Sequence, residues 1–232
     1  MVVLAEKAST KSKNRFQKTL TKILRIGPLG ALNGIRMRSW YDLVANGSNV
    51  RRLDDTCREN GIPFHTSPAI NSAWTRELFT SAQADLGISL GNGYIGPSVF
   101  TIPKWGMINI HHEMLPDYQN AQSVIWQLYN RSRITGYTIH RIDKHIDTGA
   151  ILHQEPVPIV FRDHLHRSIT DTYLALLDAS AIGLVHVLQH FERLANSARP
   201  QGPGRSYTTP SIRQFIRICR NHRKLAKIYR GS

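Results

Sequence analysis

Residues 107–154 constrain the fold more strongly than any other part of the chain. This region holds an apolar run that ends in Asn109-Ile110-His111, a helical pattern around residues 124–129, and a second apolar run over residues 136–142. Upstream, residues 73–82 have a helical pattern and residues 84–90 a strand-like one. Strands and helices that alternate at this spacing predict an α/β protein with a parallel sheet.

Three polar side chains are expected near the ends of these two strands. Asn109 and His111 are two residues apart in a strand, so both project from the same face. Asp147 lies just past the second apolar run, and a crossover helix with a parallel return would bring it beside the end of the first strand. We therefore predict that these three side chains converge, with Asp143 as an alternative to Asp147.

An amide, an imidazole and a carboxylate in one place suit the transfer of an acyl group to an amine. Attack on a carbonyl builds negative charge on its oxygen, which an Asn N–H and an imidazolium stabilise. A carboxylate orients the imidazole and helps to move the proton of the amine. No Ser or Cys nucleophile is required when the amine attacks directly.

Four motifs in order, N-I-H at 109–111, L-P at 115–116, G-Y-T-I-H-R-I-D at 136–143 and H-I-D-T-G-A-I at 145–151, resemble the folate-dependent formyltransferases. The resemblance is strong over residues 85–159. It implies a Rossmann-like, doubly wound, mostly parallel sheet in a catalytic domain over residues 1–160, and a small helical extension over residues 161–232. It also implies that Asn109, His111 and Asp147 are the catalytic residues.

The same resemblance implies N10-formyltetrahydrofolate as the formyl donor. The residues expected to contact the donor are Asn92, Gly93, Tyr94, Ile95, Arg141, Ile142 and Asp143. The residues expected to contact the acceptor amine are Glu113, Tyr118, Gln119 and Asn120. The glycine-rich turn at 91–93 lacks the G-x-G-x-x-G spacing of a dinucleotide site. In the family the matching loop, here residues 92–95, lines the pterin slot through its backbone, so the resemblance favours folate over a dinucleotide. His140 is expected to be a wall or core residue.

The acceptor loop departs from the family pattern. Glu113-Met114-Leu115-Pro116 stands where the family commonly has S-L-L-P, and Gln119-Asn120 stands where it has R-G. Methionyl-tRNA formyltransferases resemble the core but carry a C-terminal barrel, for which the residues after 159 are too few and too helical. Glycinamide ribonucleotide formyltransferase differs at this loop and lacks the basic tail.

These comparisons favour a nucleotide-linked 4-amino-4,6-dideoxy sugar as the acceptor, GDP-perosamine being the leading candidate. Such a reaction belongs to bacterial O-antigen and lipopolysaccharide synthesis. Glycinamide ribonucleotide and methionyl-tRNA remain open as acceptors. A protein of a different class, a non-catalytic basic RNA- or membrane-binding module on the same fold, remains open as well.

The formal net charge of +14 is concentrated in residues 7–52 and 199–230. So basic a chain attracts polyanions, and solvated helices, a nucleotide diphosphate, an anionic membrane or RNA would each account for it. Cys57 and Cys219 fit neither a disulfide framework nor a zinc site. We expect a cytoplasmic enzyme without a metal or a membrane span. Nucleic acid is not an expected partner, and a homodimer remains open.

The two ends of the chain give further expectations. Residues 1–6 read as a strand and residues 7–25 as a basic amphipathic helix that stops at Gly27-Pro28. Because this strand leads directly into a segment that follows the second strand of the family, we expect the first strand and helix of the family to be missing. Residues 163–195 read as a helix with Gly183 as an interruption, and Ser211 or Thr209 should cap a helix over 212–230.

Overall fold

The computed structural model describes residues 1–6, 21, 23, 24, 26–47 and 51–230. The basic helix expected over residues 7–25 therefore lies largely outside the described residues. The strands are β1 (Val2–Ala5), β2 (Phe64–Ser67), β3 (Gly87–Leu90), β4 (Met107–His111), β5 (Ile134–Arg141) and β6 (Ile151–Pro158). The helices are α1 (Pro28–Gly47), α2 (Leu53–Glu59), α3 (Ala73–Ala82), α4 (Pro97–Phe100), α5 (Ile125–Tyr129), α6 (Leu165–Gln189), α7 (Phe191–Asn196) and α8 (Ile212–Tyr229).

The described strands form two sheets. β1 and β2 pair in parallel, and a second sheet has the order β3-β4-β5-β6. In that sheet β3 and β4 are parallel, whereas β5 runs antiparallel to both β4 and β6. The parallel return expected from β4 to β5 is therefore wrong. The helix between them, α5, has only five residues, about 7.5 Å of rise, and does not carry the chain back along the sheet.

The core lies between this sheet and the C-terminal helices. Ile108, Tyr137 and Ile139 of the sheet are fully buried. They belong to one hydrophobic cluster with Ile169 and Leu176 of α6, which packs against β5 and β6. In the described chain, α6 is the helix whose length and hydropathy reach those of a membrane span. One face of this helix, which includes Ile169 and Leu176, is fully buried, and 28% of its apolar window is buried in all.

Helix α6 continues without a break through Gly183, so the expected interruption is wrong. The reason for a glycine is a close approach instead. A Cβ at this position would lie 2.6 Å from Cε2 and Cζ of the buried Tyr137 ring. The absence of a side chain therefore lets the helix lie directly on β5.

Local sequence explains where several helices begin. Ser211 caps α8 through a capping box with Gln214, as predicted. Ser72 caps α3 by accepting the N–H of Thr75 at 3.1 Å. Helix α1 was not predicted. It starts at Pro28, directly after Gly27 at φ +75°, and a glycine turn followed by proline is typical of the start of a new helix.

Replacing Gly183 with Ala should lower the free energy of unfolding by about 1–3 kcal/mol, because the added methyl group overpacks the Tyr137 ring. Urea denaturation of the variant measures this change. Ile182→Ala is the matched control, since Ile182 is 73% exposed and should shift stability by no more than about 0.5 kcal/mol. A Gly183→Ala variant as stable as the parent would show that helix propensity outweighs the contact.

Candidate functional site

The end of β4 presents two polar side chains to a cavity. Asn109 and His111 lie on one face of the strand, opposite His140 and Thr138 of β5 in the antiparallel register. The Asn109 Nδ2 lies 3.3 Å from His140 Nε2. The period of two in a strand therefore places these side chains together, as the sequence predicts.

Asp147 reaches this group from the loop that joins β5 to β6. Its Oδ1 lies 3.8 Å from Nδ1 of His111 and 3.9 Å from Nε2 of His140. Its Oδ2 accepts a hydrogen bond from the backbone N–H of Asn120 at 2.9 Å. The structure thus brings Asn109, His111 and Asp147 together, with His140 as a fourth member.

The alternative acid, Asp143, has a different position. Its Oδ1 accepts hydrogen bonds from the backbone N–H of His145 at 2.9 Å and from the Thr148 hydroxyl at 2.7 Å. These bonds shape the loop that carries Asp147. Gly149 completes the loop, because a Cβ there would lie 2.7 Å from the Arg141 carbonyl carbon.

Backbone carbonyls assign the protons of both histidine rings. His111 Nε2 lies 2.9 Å from the Tyr118 carbonyl, which can only accept, so Nε2 carries a proton and Nδ1 is left facing Asp147. His140 Nδ1 likewise donates to the Arg141 carbonyl at 2.8 Å. Burial lowers the pKa of His140, so its Nε2 is free to accept a hydrogen bond from Asn109.

The loop at 116–120, which holds both His111 and Asp147, is itself paired with a C-terminal segment. The Gln119 N–H donates to the Arg205 carbonyl at 2.8 Å, and the Tyr207 N–H donates to the Gln119 carbonyl at 2.9 Å. The rings of Tyr118 and Tyr207 stack with their centroids 5.4 Å apart. Residues 205–207 therefore fix the loop behind the site.

The cluster opens into a cavity of about 600 Å³, within the usual range for small-molecule sites. One part of its wall is the loop after β3, and another is the loop after β5. Six of the residues expected to contact the donor line this cavity: Asn92, Gly93, Tyr94, Ile95, Ile142 and Asp143. A Cβ at Gly93 would meet no atom within 4 Å, so the backbone there is open to a ligand.

Comparison with known proteins identifies the family. The model of the formyl transferase family matches residues 45–188, more than half of the chain. The chain belongs to this family. A solved member, the formyltransferase PseJ from Anoxybacillus kamchatkensis in complex with UDP-4,6-dideoxy-4-formamido-L-AltNAc and tetrahydrofolate, is 26% identical. It superposes with a TM-score of 0.51 over 68% of this chain and 82% of its own, which confirms the α/β, Rossmann-like fold class.

Two curated relatives differ in their named acceptors. A methionyl-tRNA formyltransferase of Thermosynechococcus vestitus is 31% identical over 157 residues, which are 67% of this chain and 46% of the relative. A GDP-perosamine N-formyltransferase of Brucella melitensis is 34% identical over 129 residues, which are 53% of this chain and 49% of the relative. The chain thus spans less than half the length of both.

Two of the residues predicted to contact a substrate do not reach the cavity. Glu113, expected to contact the acceptor, is fully buried beside Gln127 and Thr135. Burial raises the pKa of Glu113 well above its usual value, and a neutral carboxyl with hydrogen-bond partners is tolerated in a core. The Arg141 guanidinium donates to the Trp105 carbonyl at 3.0 Å and does not line the cavity.

Of the other three residues predicted to contact the acceptor, one lines the cavity and two lie behind its wall. Asn120 lines the cavity. Tyr118 and Gln119 do not. The Tyr118 carbonyl instead contacts His111, and Gln119 donates to the Asp147 carbonyl at 3.4 Å. Their contact with the acceptor stays a prediction.

Sequence reasoning missed several residues of the cavity wall. His140 is not one of them, since it was expected to be a wall or core residue and is buried in the cavity wall. Arg38 and Tyr41 of α1 and Tyr173 of α6 also line the cavity, and the Tyr41 hydroxyl donates to the Ser123 carbonyl at 2.5 Å. No local motif marks these helix residues, since tertiary packing alone brings them to the site.

His112, the neighbour of His111, is held neutral by its surroundings. Its Nε2 lies 3.1 Å from the Ser180 hydroxyl, and its ring packs edge-on against Tyr173 at 5.5 Å. Burial, with a smaller contribution from His111, lowers the pKa of His112 to about 4. The folded state therefore disfavours the protonated ring.

The pKa of His112 predicts a loss of stability in acid. Since the unfolded ring has a pKa near 6.5, its contribution is fully present above that pH and is lost as pH falls towards about 4, by up to about 3 kcal/mol. In His112→Gln this contribution should vanish. Denaturation curves across the range would show the stabilities of parent and variant converging as pH falls, whereas a constant difference would contradict the prediction.

Proposed function

We propose that this protein transfers a formyl group from N10-formyltetrahydrofolate to the amine of a nucleotide-linked 4-amino-4,6-dideoxy sugar. The observation that carries the proposal is the convergence of Asn109, His111 and Asp147 at the end of β4, at the wall of a cavity that takes a small molecule. The proposed catalytic domain spans residues 1–160, with residues 161–232 as a helical extension.

The donor fits the side of the cavity formed by the loops after β3 and β5. Backbone groups around Gly93 and the apolar side chains of Ile95 and Ile142 suit a flat heteroaromatic ring with polar edges. Asp143 offers a carboxylate at the same edge. When bound, the donor would supply an activated formyl group for transfer to the acceptor amine, beside the residues of β4.

Asn109 and His111 stabilise the negative charge that develops on the formyl oxygen. One N–H of the Asn109 amide donates to His140 Nε2, which leaves its second N–H for the oxygen. His111 Nε2–H is engaged by the Tyr118 carbonyl, so Nδ1–H of the protonated ring is the group available. Both donors are held in place before the reaction, which is the arrangement that electrostatic stabilisation requires.

Asp147 moves the proton. Its Oδ2 is engaged by the Asn120 N–H, whereas Oδ1 is the oxygen that faces both histidines. As the C–N bond to the acceptor forms, Oδ1 accepts the proton that the amine loses and relays it to N10 of the departing tetrahydrofolate.

The choice of acceptor draws on the relatives and on the cavity. The named acceptor of the Brucella relative is GDP-perosamine, and the PseJ structure contains a UDP-linked formamido sugar. Among the described residues, Arg38 is the arginine that lines the cavity. We propose that its guanidinium binds the diphosphate of the nucleotide, since this group forms paired hydrogen bonds with phosphate oxygens. The product would enter bacterial O-antigen synthesis in the cytoplasm.

Asn109→Ala and Asp147→Asn should each lower the rate of formyl transfer by about 10²–10³-fold, because each removes a group that acts in the transition state. Steady-state assays of tetrahydrofolate release measure the loss. Asn60→Ala and Asp178→Asn are matched controls at exposed positions and should retain the parental rate. Parental activity in either site variant would refute the assignment.

Incubation with N10-formyltetrahydrofolate and separate acceptors tests the substrate class. GDP- and dTDP-linked 4-amino-4,6-dideoxy sugars should be formylated, each gaining the mass of one formyl group. Glycinamide ribonucleotide and methionyl-tRNA should not react. Turnover with either of these alone would reassign the acceptor while retaining the chemistry, and a folded protein that transfers formyl to none of them would contradict the proposal.

A further inference from the structure

A second cavity, of about 530 Å³, lies where the end of α5 meets α8. Its lining shares no residue with the catalytic cavity. We call it the basic pocket, and it is lined by Arg131, Arg217, Arg220, Asn221, Arg223 and Lys224. Five of these six residues carry a positive charge.

The charge of this pocket is not neutralised from within the described chain. Helix α8 contains six Arg and Lys residues and no Asp or Glu. Among the described residues, the ion pair nearest the C-terminal end of α8 joins Arg230 to Asp163, and Arg230 is not part of the pocket. Cations gathered in one depression repel one another, and a bound anion would relieve that repulsion.

Two of the guanidinium groups are held in position before any ligand arrives. Asn221 is buried, and its side-chain amide donates to the carbonyls of Leu128 and Tyr129 at 3.0 and 2.9 Å. Its oxygen accepts from Nε of Arg131 at 3.3 Å. Arg131 has φ +60°, a conformation that costs a non-glycine residue free energy and that places this guanidinium at the pocket.

Arg217 is fixed by an aromatic ring. Its guanidinium carbon lies 4.2 Å from the centroid of the Tyr129 ring, and its Nη1 donates to the Tyr129 hydroxyl at 3.2 Å. One face of the guanidinium is thereby covered. The remaining edge N–H groups are available to a ligand, and little side-chain entropy remains to be lost on binding.

We propose that the basic pocket binds an anion with two or more adjacent phosphate groups. Guanidinium groups bind phosphate oxygens in pairs, and the volume of the pocket exceeds that of one phosphate. The concave shape favours a compact polyphosphate over an extended strand. This site is additional to the proposed formyl transfer and does not depend on it.

The test is isothermal titration of the full chain with tripolyphosphate at physiological ionic strength. In Arg220→Gln/Arg223→Gln, both changes fall in the pocket and leave the Arg217–Tyr129 contact intact. Arg213→Gln/Lys227→Gln removes the same charge from the same helix outside the pocket. The first pair should weaken binding by at least about tenfold, since a charged hydrogen bond contributes about that factor, and the second should leave it close to the parental value.

A second titration, with a single-stranded oligonucleotide, separates the pocket from a general basic surface. The helical spacing places five basic residues in one row along α8: Arg213, Arg217, Arg220, Lys224 and Lys227. Binding of a strand along this row would be weakened at least as much by the second pair, which removes two of these residues, as by the first pair, which removes one. The proposal would be overturned if both double variants weakened tripolyphosphate binding equally, or if the parent protein did not bind tripolyphosphate. Circular dichroism of all variants shows that folding is unchanged.

Discussion

The geometry of the site depends on how the carboxylate of Asp147 is held over the end of β4. Asp147 has φ +58°, a strained conformation for a residue with a side chain. The Asn120 N–H, the Gln119 side chain and the absence of a side chain at Gly149 hold it there. Without this loop, His111 and Asn109 would face the cavity with no acid beside them.

Much of this arrangement can be read from the sequence because it rests on short-range rules. The period of two in β4 fixes the common face of Asn109 and His111, and the cap at Ser211 fixes the start of α8. The position of Asp147 was predicted through a parallel return that does not exist. The convergence arises because the loop after the antiparallel β5 folds back, so the prediction of proximity was confirmed while its reason was wrong.

The parts that sequence did not reveal depend on contacts between distant residues. Glu113 was expected to contact the acceptor, and only its buried partners Gln127 and Thr135 place it in the core. Arg38 and Tyr41 belong to α1, which no pattern predicted, and they reach the cavity only because that helix packs against α6. Gly183 reads as a helix breaker, and only the ring of Tyr137 explains it. In each case the environment of the residue, rather than its type, decides its role.

The support that the loop at 116–120 gives to His111 and Asp147 comes largely from its main chain. The carbonyl of Tyr118 orients His111, and the N–H of Asn120 orients Asp147; the pairing with residues 205–207 is likewise made by backbone groups. Substitutions in this loop can therefore alter which molecule is recognised and leave these backbone contacts in place. Asn120, which lines the cavity, can vary in this way, whereas the Gln119 side chain itself donates to the Asp147 carbonyl and belongs to the support.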